Sequence, residues 1–152
     1  MENSRVQLDK SDSAAYQALT GLSASVEESA AAADIHPGLI ELIRLRVSQI
    51  NNCAFCMRTH ARAALSAGES TDRVAVLPQW RETAYFSDRE QAALELAEAI
   101  TTISDTPIPQ ALYDRVTEKL NEQEISAVSW IAIVMNSFNR VRVTNRQQVR
   151  TA

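Results

Sequence analysis

Four side chains capable of acid–base and redox chemistry lie close together in the sequence. The stretch 41–60 reads ELIRLRVSQINNCAFCMRTH and contains Glu41, Cys53, Cys56 and His60. These are the only two cysteines of the chain, and His60 is one of its two histidines. If a helix begins at Cys53, the spacings i+3 and then i+4 bring Cys56 and His60 onto the same helical face. The sequence therefore predicts two thiols and an imidazole side by side.

A redox-active dithiol is the first interpretation of this pattern. A thiolate is favoured at a helix N-terminus by the backbone dipole and the free N–H groups, and Cys53 is predicted to lie in the first helical turn. His60 can take or relay the proton of Cys56, and Glu41 can orient the imidazole. Two thiols one turn apart can close a disulfide after one of them has been oxidised to a sulfenic acid.

Three other interpretations stay open on spacing alone. Zinc could bind Cys53, Cys56 and His60, with Glu41 or His36 as a fourth ligand, although the second cysteine pair that is typical of structural zinc sites is missing. The cysteines could also be inert, buried small side chains. Finally, the chain could be a helical interaction module that uses its apolar faces to bind partners.

The composition and charge predict one domain and exclude several classes of protein. The 152 residues suffice for a single domain with a real core, spanning 1–152 with flexible arms at 1–10 and 143–152. The net charge of −4 gives no electrostatic support for nucleic-acid binding. Because no apolar run could span a bilayer and the N-terminus lacks a signal-peptide segment, we expect a cytoplasmic protein. In that compartment a CxxC pair is typical of redox or metal chemistry rather than of a structural disulfide.

The elements that must position these residues are predicted to be helices. Glycine and proline are scarce, Ala, Leu, Glu and Arg are abundant, and no run alternates with the period of a strand. The prediction is an all-α single-domain bundle of six or seven helices, in which 77–86 is irregular. Its segments are 14–33, 37–50, 53–67, 70–76, 87–103, 109–120 and 121–141.

The segment 37–50 is apolar on nearly every side, which is typical of a helix in the centre of a bundle or an oligomer. A carboxylate buried on such a helix is costly unless it is paired, so Glu41 is predicted to contact an arginine or the site one helix away. His36, beside a proline at a helix start, is predicted to cap that helix or to be exposed. Trp80 and Trp130 are predicted to be core or subunit-contact residues.

The pattern E-x11-C-x2-C-x3-H resembles the signature of the alkylhydroperoxidase D-like (AhpD-like) proteins of the carboxymuconolactone decarboxylase superfamily. The resemblance extends from about Pro37 to Arg146. It includes LIRLRVSQINNCAFCMRTHARAA, the following Gly-Glu, WRETAYFSDREQAALELAEAIT and NSFNR. The last segment contains Asn136 and Asn139, for which the sequence indicates a structural role through hydrogen bonding and no chemical one.

This resemblance implies an all-helical fold that assembles as homotrimers or homohexamers, and an enzyme that reduces hydroperoxides without a cofactor or metal. Cys56 is implied to attack the peroxide and become a sulfenic acid. Cys53 is implied to be the proton donor and resolving thiol, and Glu41 and His60 to form the proton relay. The electron donor would be a dithiol of the thioredoxin or lipoyl type.

One position departs from the family pattern. Better-characterised peroxidases of the family carry a second histidine between the two cysteines, where this chain has Phe55. The proton relay is therefore expected to be shorter, or to receive its protons from solvent. General disulfide reduction and lactone decarboxylation are the alternative activities, and the family's decarboxylases generally lack the CxxC pair.

Overall fold

Helix-forming sequence and well-defined N-terminal caps divide the chain into helices joined by short connections. The computed structural model describes residues 5–151, and the segment they form is all-α, as predicted. Its α-helices are α1 Leu8–Ser11, α2 Ser13–Ala32, α3 Pro37–Ile50, α4 Ala54–Ser66, α5 Thr71–Val76, α6 Asp88–Thr101, α7 Gln110–Thr117 and α8 Glu122–Thr144. Within the described residues, no helix is both long enough and apolar enough to cross a membrane.

The helix α3 lies at the centre of the bundle and packs against α4, α6 and α8. Its apolar residues are buried on several sides, as the sequence predicted, which removes a large apolar area from water and holds the helix in place. The helix that carries Glu41 is thereby fixed between the helix that carries the cysteines and the long C-terminal helix. The buried residues of α3 are Gly38, Leu39, Ile40, Leu42, Ile43, Leu45, Val47 and Ser48.

Two reciprocal capping boxes fix where α6 and α8 begin. The Ser87 side chain accepts a hydrogen bond from the Glu90 backbone N–H, and the Glu90 carboxylate accepts one from Ser87 N–H. Asn121 and Glu124 make the same pair of bonds at the start of α8. Each box satisfies N–H groups that the helix itself cannot pair, so both helix starts agree with the sequence prediction.

The described residues form eight α-helices where six or seven were predicted, because the short α1 lies in the predicted N-terminal arm. The structure also differs from the prediction around the two tryptophans. Residues 77–86, expected to be irregular, include a 3-10 helix, Leu77–Glu82, that buries Trp80 and confirms its core role. Trp130 is 46% exposed on α8, so of the two predicted roles it does not take the core one in the single chain, and the subunit-contact role stays a prediction. Trp130 lies outside the core because α8 packs against the bundle along only part of its circumference, and Trp130 is on the remaining face.

Hydrogen bonds join the two segments that were predicted to be flexible arms. Residues 1–4 and 152 lie outside the described part of the chain. In the remainder, Leu8 N–H donates to Asn145 Oδ1 at 2.9 Å, and Asn145 Nδ2 donates to Asp9 at 2.8 Å. The side chain of Arg142 also reaches Asp9, at 3.3 Å. These bonds place the N-terminal segment against the end of α8.

A partly buried ion cluster connects the 3-10 helix to the bundle, and its carboxylate is Glu98. Arg46 Nε donates to Glu98 Oε1 at 2.7 Å, Trp80 Nε1 to the same oxygen at 3.0 Å, and Arg81 to Oε2 at 2.6 Å. Burial alone would raise the pKa of Glu98, but the hydrogen bonds from Arg46, Arg81 and Trp80 outweigh it and lower the pKa below 4.5.

Replacing this carboxylate with an amide is expected to cost stability in a pH-dependent way. Glu98→Gln should lower the free energy of unfolding by about 2 kcal/mol at neutral pH, because the partly buried charge of Arg46 loses its counter-ion. A folded-state pKa below the unfolded one stabilises the protein above the unfolded value, and this stabilisation is lost as pH falls. Urea unfolding should therefore show the difference between wild type and variant shrinking below pH 4.5. Glu95→Gln, at the more exposed pair with Arg115, is the control and should change stability far less.

Candidate active site

The two cysteines lie at the N-terminal end of α4 and form a disulfide, Cys53–Cys56, with their Cα atoms 5.3 Å apart. The prediction that Cys53 lies in the first turn is wrong by one residue. Asn52 adopts a positive φ of 55°, so the chain turns there, and Cys53 becomes the extended N-cap residue before α4. Its sulfur accepts a hydrogen bond from the Cys56 backbone N–H at 3.4 Å. This bond would also stabilise a thiolate at Cys53 in the reduced protein.

The imidazole of His60 is bound to the carboxylate of Glu41. His60 Nδ1 and Glu41 Oε2 are 2.7 Å apart, and the two side chains are 17% and 15% exposed. The other carboxylate oxygen of Glu41 accepts a hydrogen bond from Arg44 at 2.8 Å. Arg44 in turn pairs with Glu27 of α2, also at 2.8 Å. The partly buried Glu41 therefore contacts both of the partners that the sequence predicted as alternatives. One is an arginine, Arg44, and the other is a residue of the site on the next helix, His60.

These contacts decide the charge of Glu41 and the tautomer of His60. Burial alone would raise the pKa of Glu41, but the hydrogen bond from His60 and the charge of Arg44 outweigh it and lower the pKa below 4.5. At neutral pH Glu41 is therefore a carboxylate, which can only accept hydrogen bonds. It follows that Nδ1 of His60 carries the proton, and that Nε2 of the neutral imidazole has a free lone pair.

The site opens into a cavity of about 200 Å³ between α2, α4 and α8. Cys56 and His60 both line this cavity, whereas Cys53 does not. Within residues 5–151, His60 makes no direct hydrogen bond to either sulfur. The imidazole and Cys56 are therefore connected only through the cavity that both residues line. Both sulfurs are nearly inaccessible, since Cys53 is 2% and Cys56 3% exposed. The remaining lining residues are Ser23, Glu27, Arg44, Phe55, Thr59, Val134, Met135, Phe138 and Arg142.

Phe55 contributes to an apolar and cationic wall of this cavity. The guanidinium of Arg142 lies 5.0 Å from the centroid of the Phe55 ring and 5.4 Å from that of Tyr16, whose hydroxyl accepts a hydrogen bond from Arg142 at 2.6 Å. The Tyr16 ring also contacts Phe138 edge-on. An aromatic ring held against an arginine therefore occupies the position at which the resembling peroxidases carry a histidine, and it cannot transfer protons.

A network of amides supports the turn that precedes Cys53. The Asn51 side chain donates to Asn136 Oδ1 at 2.8 Å and to Asn139 Oδ1 at 3.0 Å, and Asn139 Nδ2 donates to Ser48 Oγ at 3.1 Å. The two asparagines of α8 therefore hold the end of α3 in place, which in turn fixes the position of Cys53. The sequence indicated a structural role for them but could not identify Asn51 as their partner.

His36 takes no part in the site. Its Nδ1 accepts a hydrogen bond from Gly38 N–H at 3.0 Å and caps α3, which confirms the predicted capping role. It lines a wider groove of about 900 Å³ on the far side of the Arg44–Glu27 pair. In the part of the chain described by the structure, no group of three His, Cys, Asp or Glu side chains could hold a metal ion.

Comparison with known proteins shows the family to which the sequence belongs. The sequence model of the carboxymuconolactone decarboxylase family matches residues 14–99, more than half of the chain. The chain belongs to the carboxymuconolactone decarboxylase family. It is 42% identical over 103 residues to the uncharacterized protein YdfG of Bacillus subtilis strain 168, an alignment covering 68% of this chain and 70% of YdfG. It is 26% identical over 102 residues to the uncharacterized protein YnjA of Escherichia coli strain K12, covering 67% of this chain and 56% of YnjA.

Two solved structures share the fold of this family member. A protein of unknown function from Agrobacterium tumefaciens, ATU0492, proposed to be an antioxidant defence protein AhpD, superposes with a TM-score of 0.89 at 28% identity. That match covers 97% of this chain and 99% of ATU0492, so the fold is AhpD-like. The debrominase Bmp8 superposes with a TM-score of 0.73 at 16% identity, covering 88% of this chain and 70% of Bmp8. This second likeness concerns the fold alone.

Proposed function

We propose that this protein is a cytoplasmic thiol-dependent peroxidase that reduces hydroperoxides through the Cys53–Cys56 pair. The observation that carries the proposal is the shared cavity, in which the sulfur-bearing Cys56 and the Glu41-bound His60 line one small space. Cys56 is the attacking thiol because it borders the cavity, and Cys53 is the resolving thiol because it lies behind it. The similarity to ATU0492, proposed to act in antioxidant defence, supports the same chemistry.

The first step oxidises Cys56 and cleaves the peroxide. Nε2 of His60 takes the proton of the Cys56 thiol, and the resulting thiolate attacks one peroxide oxygen. The O–O bond breaks as the S–O bond forms, so Cys56 becomes a sulfenic acid and the peroxide leaves as an alkoxide. The His60 imidazolium, stabilised by the carboxylate of Glu41, returns its proton to that alkoxide, which departs as an alcohol.

The second step forms the disulfide and the third removes it. The Cys53 sulfur, which accepts the N–H of Cys56, attacks the sulfenic sulfur. Hydroxide leaves and takes the proton of the Cys53 thiol, so one water is produced. A dithiol donor then reduces the disulfide to two thiols and becomes a disulfide itself, which completes the cycle. A thioredoxin-type or lipoyl-type dithiol fits this step, and the homotrimer or homohexamer implied by the family resemblance is part of the proposal.

The proposal is tested by following hydroperoxide consumption with dithiothreitol as the donor, together with a metal analysis of the purified protein. We expect catalytic loss of tert-butyl hydroperoxide and of hydrogen peroxide at a rate proportional to the protein concentration, without bound metal. Reduction of a protein disulfide with no loss of peroxide would instead assign a general disulfide reductase. One zinc per chain with peroxide-inert thiols would contradict the redox interpretation altogether.

A further inference from the structure

Arg44 occupies a position in the site that the reaction steps above leave without a role. Its guanidinium joins two carboxylates, with Glu41 and Glu27 each 2.8 Å away, and the side chain is only 12% exposed. The guanidinium of an arginine can donate hydrogen bonds to two carboxylates at the same time, and it holds a permanent positive charge between them. Glu27 is 55% exposed, so the inner partner, Glu41, is the one held in a restricted environment.

The same arginine separates two cavities that contact opposite ends of the Glu41–His60 pair. His60 lines the small cavity that contains Cys56, and Glu41 lines the wide groove on the other side. Arg44 and Glu27 line both cavities. Water in the groove can therefore reach the carboxylate of Glu41, where it competes with His60 for the carboxylate oxygens.

We propose that Arg44 is a positioning residue that holds the Glu41 carboxylate against His60, so that the imidazole keeps its proton on Nδ1 and presents Nε2 as the base in the Cys56 cavity. The catalytic value of this arrangement rests on the proposed function, whereas the tautomer itself does not. The mechanism is direct. Without Arg44, the Glu41 carboxylate can rotate toward the groove, or it can take up a proton and donate its O–H to Nδ1 of His60. Either change removes the hydrogen-bond acceptor that keeps the His60 proton on Nδ1.

The charges around Glu41 are consistent with this role. Positive charge comes from Arg44 on α3, and Glu27 on α2 adds a negative charge beyond it. Asp34, His36 and Arg89 line the groove on that side. With neutral His60, the cluster of Glu27, Arg44 and Glu41 carries one net negative charge, so removal of Arg44 would leave two carboxylates close together. Like charges in proximity favour protonation of one of them, which is the change that would disturb His60.

His36 serves as an internal reference for the measurement. Because Nδ1 of His36 accepts the Gly38 N–H, its proton must lie on Nε2 in the neutral ring. The two histidines of the chain are therefore predicted to be opposite tautomers, and ¹⁵N spectra of the imidazoles can assign each one. The disulfide form is suitable for this experiment, since no peroxide chemistry is needed.

The experiment records long-range ¹H–¹⁵N spectra of the oxidised wild type and of Arg44→Met, Arg44→Lys and Arg62→Met. We expect His60 to be the Nδ1–H tautomer in wild type and to shift toward Nε2–H in Arg44→Met. Arg44→Lys should retain the wild-type signals, because an ammonium still reaches the Glu41 carboxylate. Arg62→Met removes an exposed arginine of α4 that contacts neither cavity, and it should leave both tautomers unchanged.

Two results would overturn the proposal: an Nε2–H tautomer of His60 in wild type, or an unchanged Nδ1–H tautomer in folded Arg44→Met. If the methionine variant does not fold, Arg44→Gln, which keeps a polar group at this position, is read by the same criteria. Peroxide turnover is measured in parallel, and a roughly tenfold fall in kcat in Arg44→Met with unchanged KM is expected. A wild type with the predicted tautomers and no peroxide turnover would refute the proposed function and leave this inference standing.

Discussion

Cys56→Ser is expected to abolish hydroperoxide turnover, by at least about 10³-fold, because a serine hydroxyl at this position is not ionised and cannot form a sulfenic acid. The fold should persist, since serine is close in size to cysteine, although the buried Cys53–Cys56 disulfide is lost. The measurement is consumption of tert-butyl hydroperoxide with dithiothreitol as the donor, at equal protein concentrations and with helix content checked by circular dichroism.

Cys53→Ser is the matched control, because it removes the other half of the same disulfide. This variant should still consume one equivalent of peroxide in a rapid burst, after which a sulfenic acid accumulates at Cys56 that reacts with dimedone. Further turnover then depends on direct attack by the external thiol. If Cys53→Ser lost the burst and Cys56→Ser kept it, the two thiols would have exchanged roles. That outcome would favour the helix N-terminus, rather than the His60 cavity, as the source of thiolate reactivity.

His60→Ala is expected to lower kcat/KM for hydroperoxide by about 10²- to 10⁴-fold near neutral pH, the usual contribution of a positioned general base. The loss should shrink as the pH rises above about 8.5, where a cysteine thiol ionises without help. Glu41 lies bound to His60 at 2.7 Å, so Glu41→Gln should show a smaller loss of the same kind. The pH profile of kcat/KM for the three proteins provides the measurement.

The other histidine offers a control for this prediction. His36→Asn keeps a side chain that can cap α3 and changes a residue that does not contact the Cys56 cavity, so its pH profile should match wild type. A pH-independent loss in His60→Ala would mean that the imidazole acts through packing. A loss of equal size in His36→Asn would show that disturbance of α3, rather than loss of a base, lowers the rate.

Local signals were sufficient to predict the elements that carry the site. The proline at position 37 and the apolar pattern after it define α3 to the residue, and the capping boxes at Ser87 and Asn121 define the starts of α6 and α8. The pairing of Glu41 with His60 could be anticipated for a physical reason. A carboxylate on a buried helix must find a cation or a donor, and few were within reach.

The remaining features depend on contacts that sequence spacing does not encode. Asn51 bonds to Asn136 across 85 residues of sequence, and the same two amides could have found other partners in another packing. Asn52 turns the chain through a positive φ, which moved the start of α4 past Cys53. The wall formed by Phe55 and Arg142 and the division of the two cavities by Arg44 arise from tertiary packing alone.

The most direct test of the account is a thiol count after a single oxidation. The protein is reduced, freed of reductant and treated anaerobically with one equivalent of tert-butyl hydroperoxide, after which the thiols are titrated and the tryptic peptide 47–58 is weighed. The account predicts that both thiols disappear together and that this peptide, which holds both cysteines, becomes lighter by two hydrogens. Two thiols that remain fully titratable, with the peroxide unconsumed, would contradict it.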